Sequence, residues 1–230
     1  MKVQIWSDVM CPFCYIGKKN FEAALEKLPF KEIVEIEWKS YQLDPDLNES
    51  SNTLTINDYL AQRKGMPVQQ IEQMQQHIKE MGNAVGIDFQ MNKAIVANTM
   101  LAHKLIHFAA KSNKANEAEE LLFKLHFTDG KNIADVTTLV NAAEELGLDT
   151  DQAQYILTSD SFDYEVKQDI LEARNIGVSG VPFFVLNNKY AVSGAQPIDA
   201  FIEALTQTYN ETVINKTIVE GDSCGIDGCE

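Results

Sequence analysis

Basic residues are scarce in this 230-residue chain: 19 Lys and Arg stand against 34 Asp and Glu, for a formal net charge of −15 and a pI near 4.6. No local Lys/Arg cluster reverses that sign, so phosphate backbones and anionic lipid surfaces are repelled, and neither nucleic acid nor membrane is an expected partner. Cysteine is sparse too, at four residues, too few for a disulfide scaffold in a chain of this size. No stretch approaches the ~18 uninterrupted apolar residues of a membrane span. The N-terminal MKVQIWSDVMCPF has one lysine, an aspartate and no apolar run of signal-peptide length, so a cytoplasmic location is expected. No GxxxxGK[ST] or GxGxxG follows a strand pattern, which leaves nucleotide binding without support.

What is present is 45% hydrophobic content, enough for a real core. Val3, Ile5 and Val9 with Trp6 among them predict a short buried strand, KVQIWSD. From Pro12 the spacing turns helical, with Tyr15, Phe21, Leu25 and Leu28 recurring until Pro29. Val34, Ile36 and Trp38 then alternate against Glu35, Glu37 and Lys39, the period of a second strand. After the polar breaker DPDLNESSNTL, helical patterns dominate for over a hundred residues: NDYLAQRKG, PVQQIEQMQQHIKEMG ending at Gly82, a long helix over NKAIVANTMLAHKLIHFAAKSN, ANEAEELLFKLHFTDG, DVTTLVNAAEELG and 161–177. The β pattern returns in VSGVPFFVLNNKYAVSG, two strands around an Asn187-Asn188 turn, followed by an amphipathic helix, PIDAFIEALTQTY. The order β-α-β, helices, β-β-α describes an α/β thioredoxin-like fold interrupted by an all-helical insertion. The expected parts are 1–44, the insertion 45–176, the second half 177–209, and a flexible tail 210–230.

Cys11 and Cys14 in MCPFCYIG fall between the first strand and the first helix. A cysteine at a helix N-terminus meets unpaired N–H groups and the positive end of the dipole, which favour thiolate. Cys11 then serves as a nucleophile, and Cys14, one turn on, can attack the mixed disulfide that Cys11 forms. Pro12 suits the first turn because it has no N–H to lose there. Two alternatives stand beside a redox pair. Cys224 and Cys229 can complete a four-cysteine zinc site from the far end of the chain, or Cys11 and Cys14 are a structural staple, which a reducing compartment disfavours.

The stretch SDVMCPFCYIGKKNFEAAL, together with YQLDPDL, NTMLAHKL and GVSGVPFFVLNNKYAVSGAQP, resembles the cytoplasmic FrnE-like branch of the DsbA family of thiol-disulfide oxidoreductases, over residues 2 to 208 or so. The resemblance implies that Cys11 is the nucleophile, that Cys14 resolves, that Pro12 and Phe13 form the tuning dipeptide, and that Val181-Pro182 is a cis-proline loop set against the pair. Only ~5% of X–Pro bonds are cis, so without the resemblance trans is the expectation. A cis bond would turn the Val181 backbone toward an extended substrate beside Cys11. Phe13 stands where the family commonly has tryptophan, and the histidine of strongly oxidising periplasmic members is missing, which implies a milder oxidant. Asp8, three residues before Cys11, either raises the thiol pKa or faces solvent at the strand end.

The expected activity is disulfide exchange with protein thiols or disulfides, with glutathione as a further partner; no cofactor and no metal are expected. The direction expected in a cytosol is reductase or isomerase. Two other functions share the scaffold: glutathione-dependent conjugation or isomerisation of aromatic metabolites, where serine commonly replaces Cys11, and a client-binding chaperone with sensor thiols. Cys224 and Cys229 are separated by Gly225, Ile226, Asp227 and Gly228, flexible enough to bridge, and form a candidate second redox pair. The β propensity of Thr212, Val213, Ile214, Ile218 and Val219 suggests strand addition, in trans a homodimer. His103 and His107 share a helix face but lack a third metal ligand, and Glu119-Glu120 and Glu144-Glu145 read as solvated faces.

Overall fold

The computed structural model describes residues 1–48 and 54–216, and two short strands, β5 (Cys224–Gly225) and β6 (Gly228–Cys229). β1 (Lys2–Ser7) and β2 (Glu35–Ser40) run parallel, joined through α1 (Pro12–Leu25), the crossover that parallel strands require. β3 (Phe183–Leu186) and β4 (Tyr190–Ser193) form an antiparallel hairpin. At its turn Asn187 and Asn188 have φ of 48° and 55°, left-handed geometry that asparagine tolerates better than other side chains with a Cβ. The sheet order is β2-β1-β3-β4, so the first strand lies between one that follows closely and one from the far end of the chain.

Alternation along β1 sorts its side chains by face. Val3 and Ile5 point to a core shared with Phe21 of α1, Phe184, and Phe201 of α9 (Ile198–Lys216). The Phe184 and Phe201 rings cross edge-on at 4.7 Å, a favoured aromatic geometry. On the opposite face Trp6 packs with Phe183, Val185, Val178 and Ala173 of α8 (Asp163–Asn175), and its indole N–H donates to the Asp169 carbonyl at 2.9 Å.

Between β2 and β3 lie α2 (Ile56–Lys64), α3 (Val68–Ala84), α4 (Met100–Ala110), α5 (Ala115–Phe127), α6 (Val136–Glu145), α7 (Thr150–Thr158) and α8. The fold is therefore the expected thioredoxin-like one with a helical insertion, and one apolar core runs through both parts, from Val3 through Phe123 and Leu139 to Leu205. Asp135 and Asp149 cap α6 and α7 by accepting from Thr138 N and Gln152 N at 2.8 and 2.9 Å. No helix among the described residues is long and apolar enough to cross a membrane.

Several expected boundaries move. α7 has no counterpart in the expected elements. The helix expected over 92–113 begins only at Met100, because Asn98 is taken up elsewhere: its Oδ1 accepts from Met100 N at 2.9 Å and its Nδ2 donates to the Pro45 and Leu47 carbonyls at 2.9 and 3.0 Å. Gly82 does not end α3, which continues to Ala84. It makes room for Phe89, whose ring would lie 2.3 Å from any Cβ there. Residues 210–216 are not tail but the last turns of α9. Thr212 Oγ1 donates to Thr208 O at 2.8 Å and accepts from Asn187 Nδ2 at 2.9 Å, so tertiary contacts override the β propensity there and strand addition through Thr212, Val213 and Ile214 is excluded. Ile218 and Val219 lie outside the described residues. β5 and β6 pair antiparallel with Cys224 opposite Cys229.

Candidate active site

Cys11 is the N-cap of α1, with Pro12 opening the first turn. Its own amide donates to Asp8 O at 2.9 Å, and its carbonyl accepts from Cys14 N at 3.0 Å, which brings the two cysteines one turn apart on the same side of the helix. Both are free thiols and both are buried. Pro12 and Phe13 between them are half-buried.

The far end of the chain closes on this turn. The Val181–Pro182 peptide bond is cis, and the Val181 carbonyl oxygen lies 3.6 Å from Cys11 Sγ. Gly17 permits the approach, since a Cβ at that position would stand 2.8 Å from Pro182 Cγ. The loop is tied on both sides: Pro182 O accepts from Gly194 N at 2.8 Å, and Asn20 of α1 donates to Gln196 O at 2.9 Å. Thus Cys11, Cys14, Pro12, Phe13, Val181 and Pro182 form one cluster. Cys224 and Cys229 face each other on β5 and β6.

Burial pushes the Cys14 thiol well above its ordinary range, and the neighbouring Cys11 sulfur adds to the rise. The Asp8 backbone and the Ser7 hydroxyl work against it. Cys14 is therefore held as a thiol at neutral pH. Over Cys11 opens a cavity of about 310 Å³ with an almost wholly apolar lining. Met10, Phe13 and Val181 form one wall. Ile56 and Tyr59 of α2, Met74 and Ile78 of α3, and Phe127 of α5 form the other, so the insertion lines the space over Cys11.

Asp8 neither faces solvent nor stands free. It is buried, accepting from Leu43 N at 2.7 Å and Met10 N at 3.3 Å, with His103 Nε2 3.7 Å from its Oδ1. Its carboxylate braces the turn that carries Cys11. His103 also bonds the Tyr41 carbonyl at 2.8 Å, whereas His107 Nε2 lies 3.1 Å from both Ser40 Oγ and Asp169 Oδ2. The two histidines serve separate networks, and no three potential ligands cluster for a metal among the described residues. Burial alone would raise the Asp169 carboxyl, but His107, the Ser40 amide and Lys39 hold it below the usual range. Nothing local in the sequence marked Asp169 or Lys39, since their partners come from remote segments.

Glu119 also departs from expectation. Glu120 lies at the rim, bonded by Tyr15 Oη at 2.9 Å and Lys18 Nζ at 2.8 Å, but Glu119, turned about 100° around α5, is 1% exposed. Its burial pushes the carboxyl up to about 8. Two turns on and on the same face, His126 is fully buried and pushed down to about 4. Glu144 and Glu145 are exposed, as expected.

Against known proteins, the model of a DSBA-like thioredoxin domain matches residues 2–206. The solved structure of a probable DsbA oxidoreductase from Streptomyces coelicolor is 32% identical, with 100% of this chain and 98% of that one covered and a TM-score of 0.87. YwbO of Bacillus subtilis is 29% identical over 206 residues, 89% of this chain and 95% of that protein. A 2-hydroxychromene-2-carboxylate isomerase structure aligns over 94% of this chain and 99% of that one at a TM-score of 0.69; at 14% identity this likeness shows the fold alone.

Proposed function

The chain belongs to the DSBA-like thioredoxin domain family, and from that premise we propose that it is a thiol-disulfide oxidoreductase of the FrnE-like branch acting in the cytoplasm. Cys11 attacks a substrate disulfide, and Cys14 resolves the mixed disulfide, releasing a reduced substrate. In the opposite direction the oxidised pair takes up a substrate thiol. The observation that carries this is the juxtaposition of Cys11 at the α1 N-terminus, Cys14 buried as a thiol beneath it, and the Val181 carbonyl 3.6 Å from Cys11 Sγ. An extended peptide laid beside Val181 would place a cysteine over Cys11 and an adjoining apolar side chain in the roofed cavity. Protein substrates therefore fit the apolar lining better than glutathione, whose carboxylates find few partners there. In a reducing cytosol the direction is reductase or isomerase, decided by potentials in which ~30 mV shifts the equilibrium tenfold.

Cys224 and Cys229 extend the proposal as a second pair that passes electrons to the first; the support is their opposed register across β5 and β6. If their joint replacement by serine leaves turnover and substrate range unaltered, that extension is lost.

The test is a redox titration. The protein is equilibrated in graded glutathione buffers, its thiols are alkylated, and the Cys11 and Cys14 states are mapped by mass spectrometry. Reversible oxidation as one pair is expected, with Cys14→Ser accumulating a mixed disulfide on Cys11. Thiols that remain reduced throughout, or a mixed disulfide that forms equally in Cys11→Ser, would overturn the proposal.

A further inference from the structure

The apolar cavity over Cys11 carries one charged group at its mouth. Ile56, Leu60 and Lys64 recur every fourth residue along α2, with Tyr59 beside them, so a single face of that helix looks into the cavity from its first residue to its last. That face begins apolar and ends in an ammonium. Among the described residues that line the cavity Lys64 alone is a cation, and none is a carboxylate. Its side chain is 42% exposed, which puts the charge where the dry lining meets water.

The charge of Lys64 is not consumed within the protein. The carboxylate beside it is Asp44, whose Oδ2 lies 3.9 Å from Lys64 Nζ, beyond hydrogen-bonding reach. Asp44 is already matched: Arg63 Nη2 donates to its two oxygens at 3.1 and 3.3 Å, and Tyr59 Oη donates to Oδ2 at 3.0 Å. Burial alone would raise the Asp44 carboxyl, and the Arg63 and Tyr59 bonds, more than the charge of Lys64, hold it below the usual range. Two neighbouring cations thus face one carboxylate, and Arg63 takes it. Lys64 Nζ rests 5.6 Å from the centre of the Tyr59 ring, a contact that is weak when exposed to water. The helix dipole favours a basic residue in this last turn, but it does not direct that residue into the cavity.

We infer that Lys64 is a specificity residue, which selects substrate polypeptides carrying an aspartate or glutamate close to the apolar side chain that fills the cavity. This rests on the proposed exchange at Cys11 and narrows its substrates. The apolar side chain seats against Ile56, Met74 and Ile78 and displaces water; a carboxylate next to it then meets Lys64 in a medium less polar than water, where an ion pair is stronger. The overall field of a chain with net charge −15 favours basic partners instead. That field is screened over about 8–10 Å in physiological salt, so at contact the one adjacent cation outweighs it. Glutathione has carboxylates but no apolar side chain to seat, and gains only half of the recognition. Lys64 makes and breaks no bond in the exchange, so its effect belongs in KM.

The experiment uses the reduced full-length protein and peptides whose single cysteine is in disulfide linkage with 2-thiopyridine, an uncharged leaving group followed by absorbance. Each peptide has leucine two residues from the cysteine, with Glu, Gln or Lys placed in turn at each neighbouring position. For the wild type, Glu at one of these positions is expected to lower KM about threefold to tenfold relative to Gln, with Lys raising it and kcat little changed. Lys64→Gln should abolish the difference, Lys64→Glu should invert its order, and Lys64→Arg should keep it. Should Lys64→Glu fail to fold beside Asp44, Lys64→Gln carries the test. Equal KM values for Glu and Gln at every position, a preference for Lys in the wild type, or a Glu preference undiminished in Lys64→Gln would overturn this role and leave the oxidoreductase proposal standing. Release of 2-thiopyridine no faster by the wild type than by Cys11→Ser would overturn that proposal, and the inference with it.

Discussion

Replacing Gly17 by alanine sets two effects of known size against each other. A glycine inside a helix costs about 1 kcal/mol relative to alanine, so by propensity alone Gly17→Ala should stabilise α1. The structure opposes this: the new Cβ would lie 2.8 Å from Pro182 Cγ, 3.5 Å from Ala195 Cα and 3.6 Å from Phe184 Cζ. Carbon atoms settle at about 3.5–4.0 Å, so helix and loop must separate by roughly 0.7 Å or more. Neither yields readily, with Pro182 O held by Gly194 N and Asn20 held to Gln196 O. Overpacking of this kind typically costs about 1–3 kcal/mol. After the propensity gain, a net loss of up to about 2 kcal/mol remains. Because the displaced loop carries Val181, the same change should lengthen its contact with Cys11. Urea denaturation would show a lower midpoint with an unchanged slope, and the rate of Cys11 alkylation should change with it. A variant more stable than the wild type by about 1 kcal/mol, with unaltered Cys11 reactivity, would refute the close approach.

Stability should depend on pH through two buried groups of opposite sign. Glu119, raised to about 8 from an ordinary 4.5, binds its proton more tightly in the folded state, so its contribution is complete below 4.5 and lost as pH rises through 8. His126, lowered to about 4 from 6.5, makes the folded state less stable as pH falls from 6.5 to 4. The two slopes oppose each other in mild acid, and above neutrality Glu119 acts alone. A loss on the order of 2 kcal/mol between pH 6.5 and 8 is expected from chemical denaturation, flattened in Glu119→Gln; a stability that rises over that interval would contradict the burial of this carboxyl. Asn98→Ala should cost about 2–3 kcal/mol, since it removes bonds to Pro45 O, Leu47 O, Met100 N and Gln42 Nε2 together; a thermal midpoint equal to the wild type would show those bonds to be dispensable. Met74→Glu puts a charge in the apolar cavity and should raise KM for a peptide disulfide with an apolar flank about tenfold. Its attack on a small aryl disulfide should be unaffected, and equal losses on both substrates would argue against a role in peptide binding.

Local signals carried the parts of the fold that depend on near neighbours. The alternation of Val3 and Ile5, the helical run after Pro12 and the paired asparagines of the hairpin are written within a few residues of where they act, and each corresponds to an observed element. Partners remote in sequence left no such mark. Glu119 and Glu120 look alike in a helical run, yet one enters the core and the other pairs with lysines at the rim, because the contents of that core come from β1 and α1. Gly82 carries the appearance of a helix stop and is instead a space for Phe89. Asn98 resembles an ordinary helical residue until the loop at Pro45 supplies its bonding partners. Asp149 caps α7 by accepting from Gln152 N, yet that helix is absent from the expected elements.

The distance along the chain between Cys11 and Val181 is 170 residues, and it becomes a time when the protein is made. At roughly 5–20 residues per second, about 10–30 s separate the emergence of the cysteine pair from that of the strand and loop that close over it. Until β3 arrives, one edge of β1 is unpaired and open to the wrong strand. Two thiols meanwhile stand in reach of any oxidant or neighbouring nascent chain. The site is thus most exposed at birth, and a ribosome that stalls before residue 183 releases a polypeptide with the reactive sulfurs but without the wall that selects their partner.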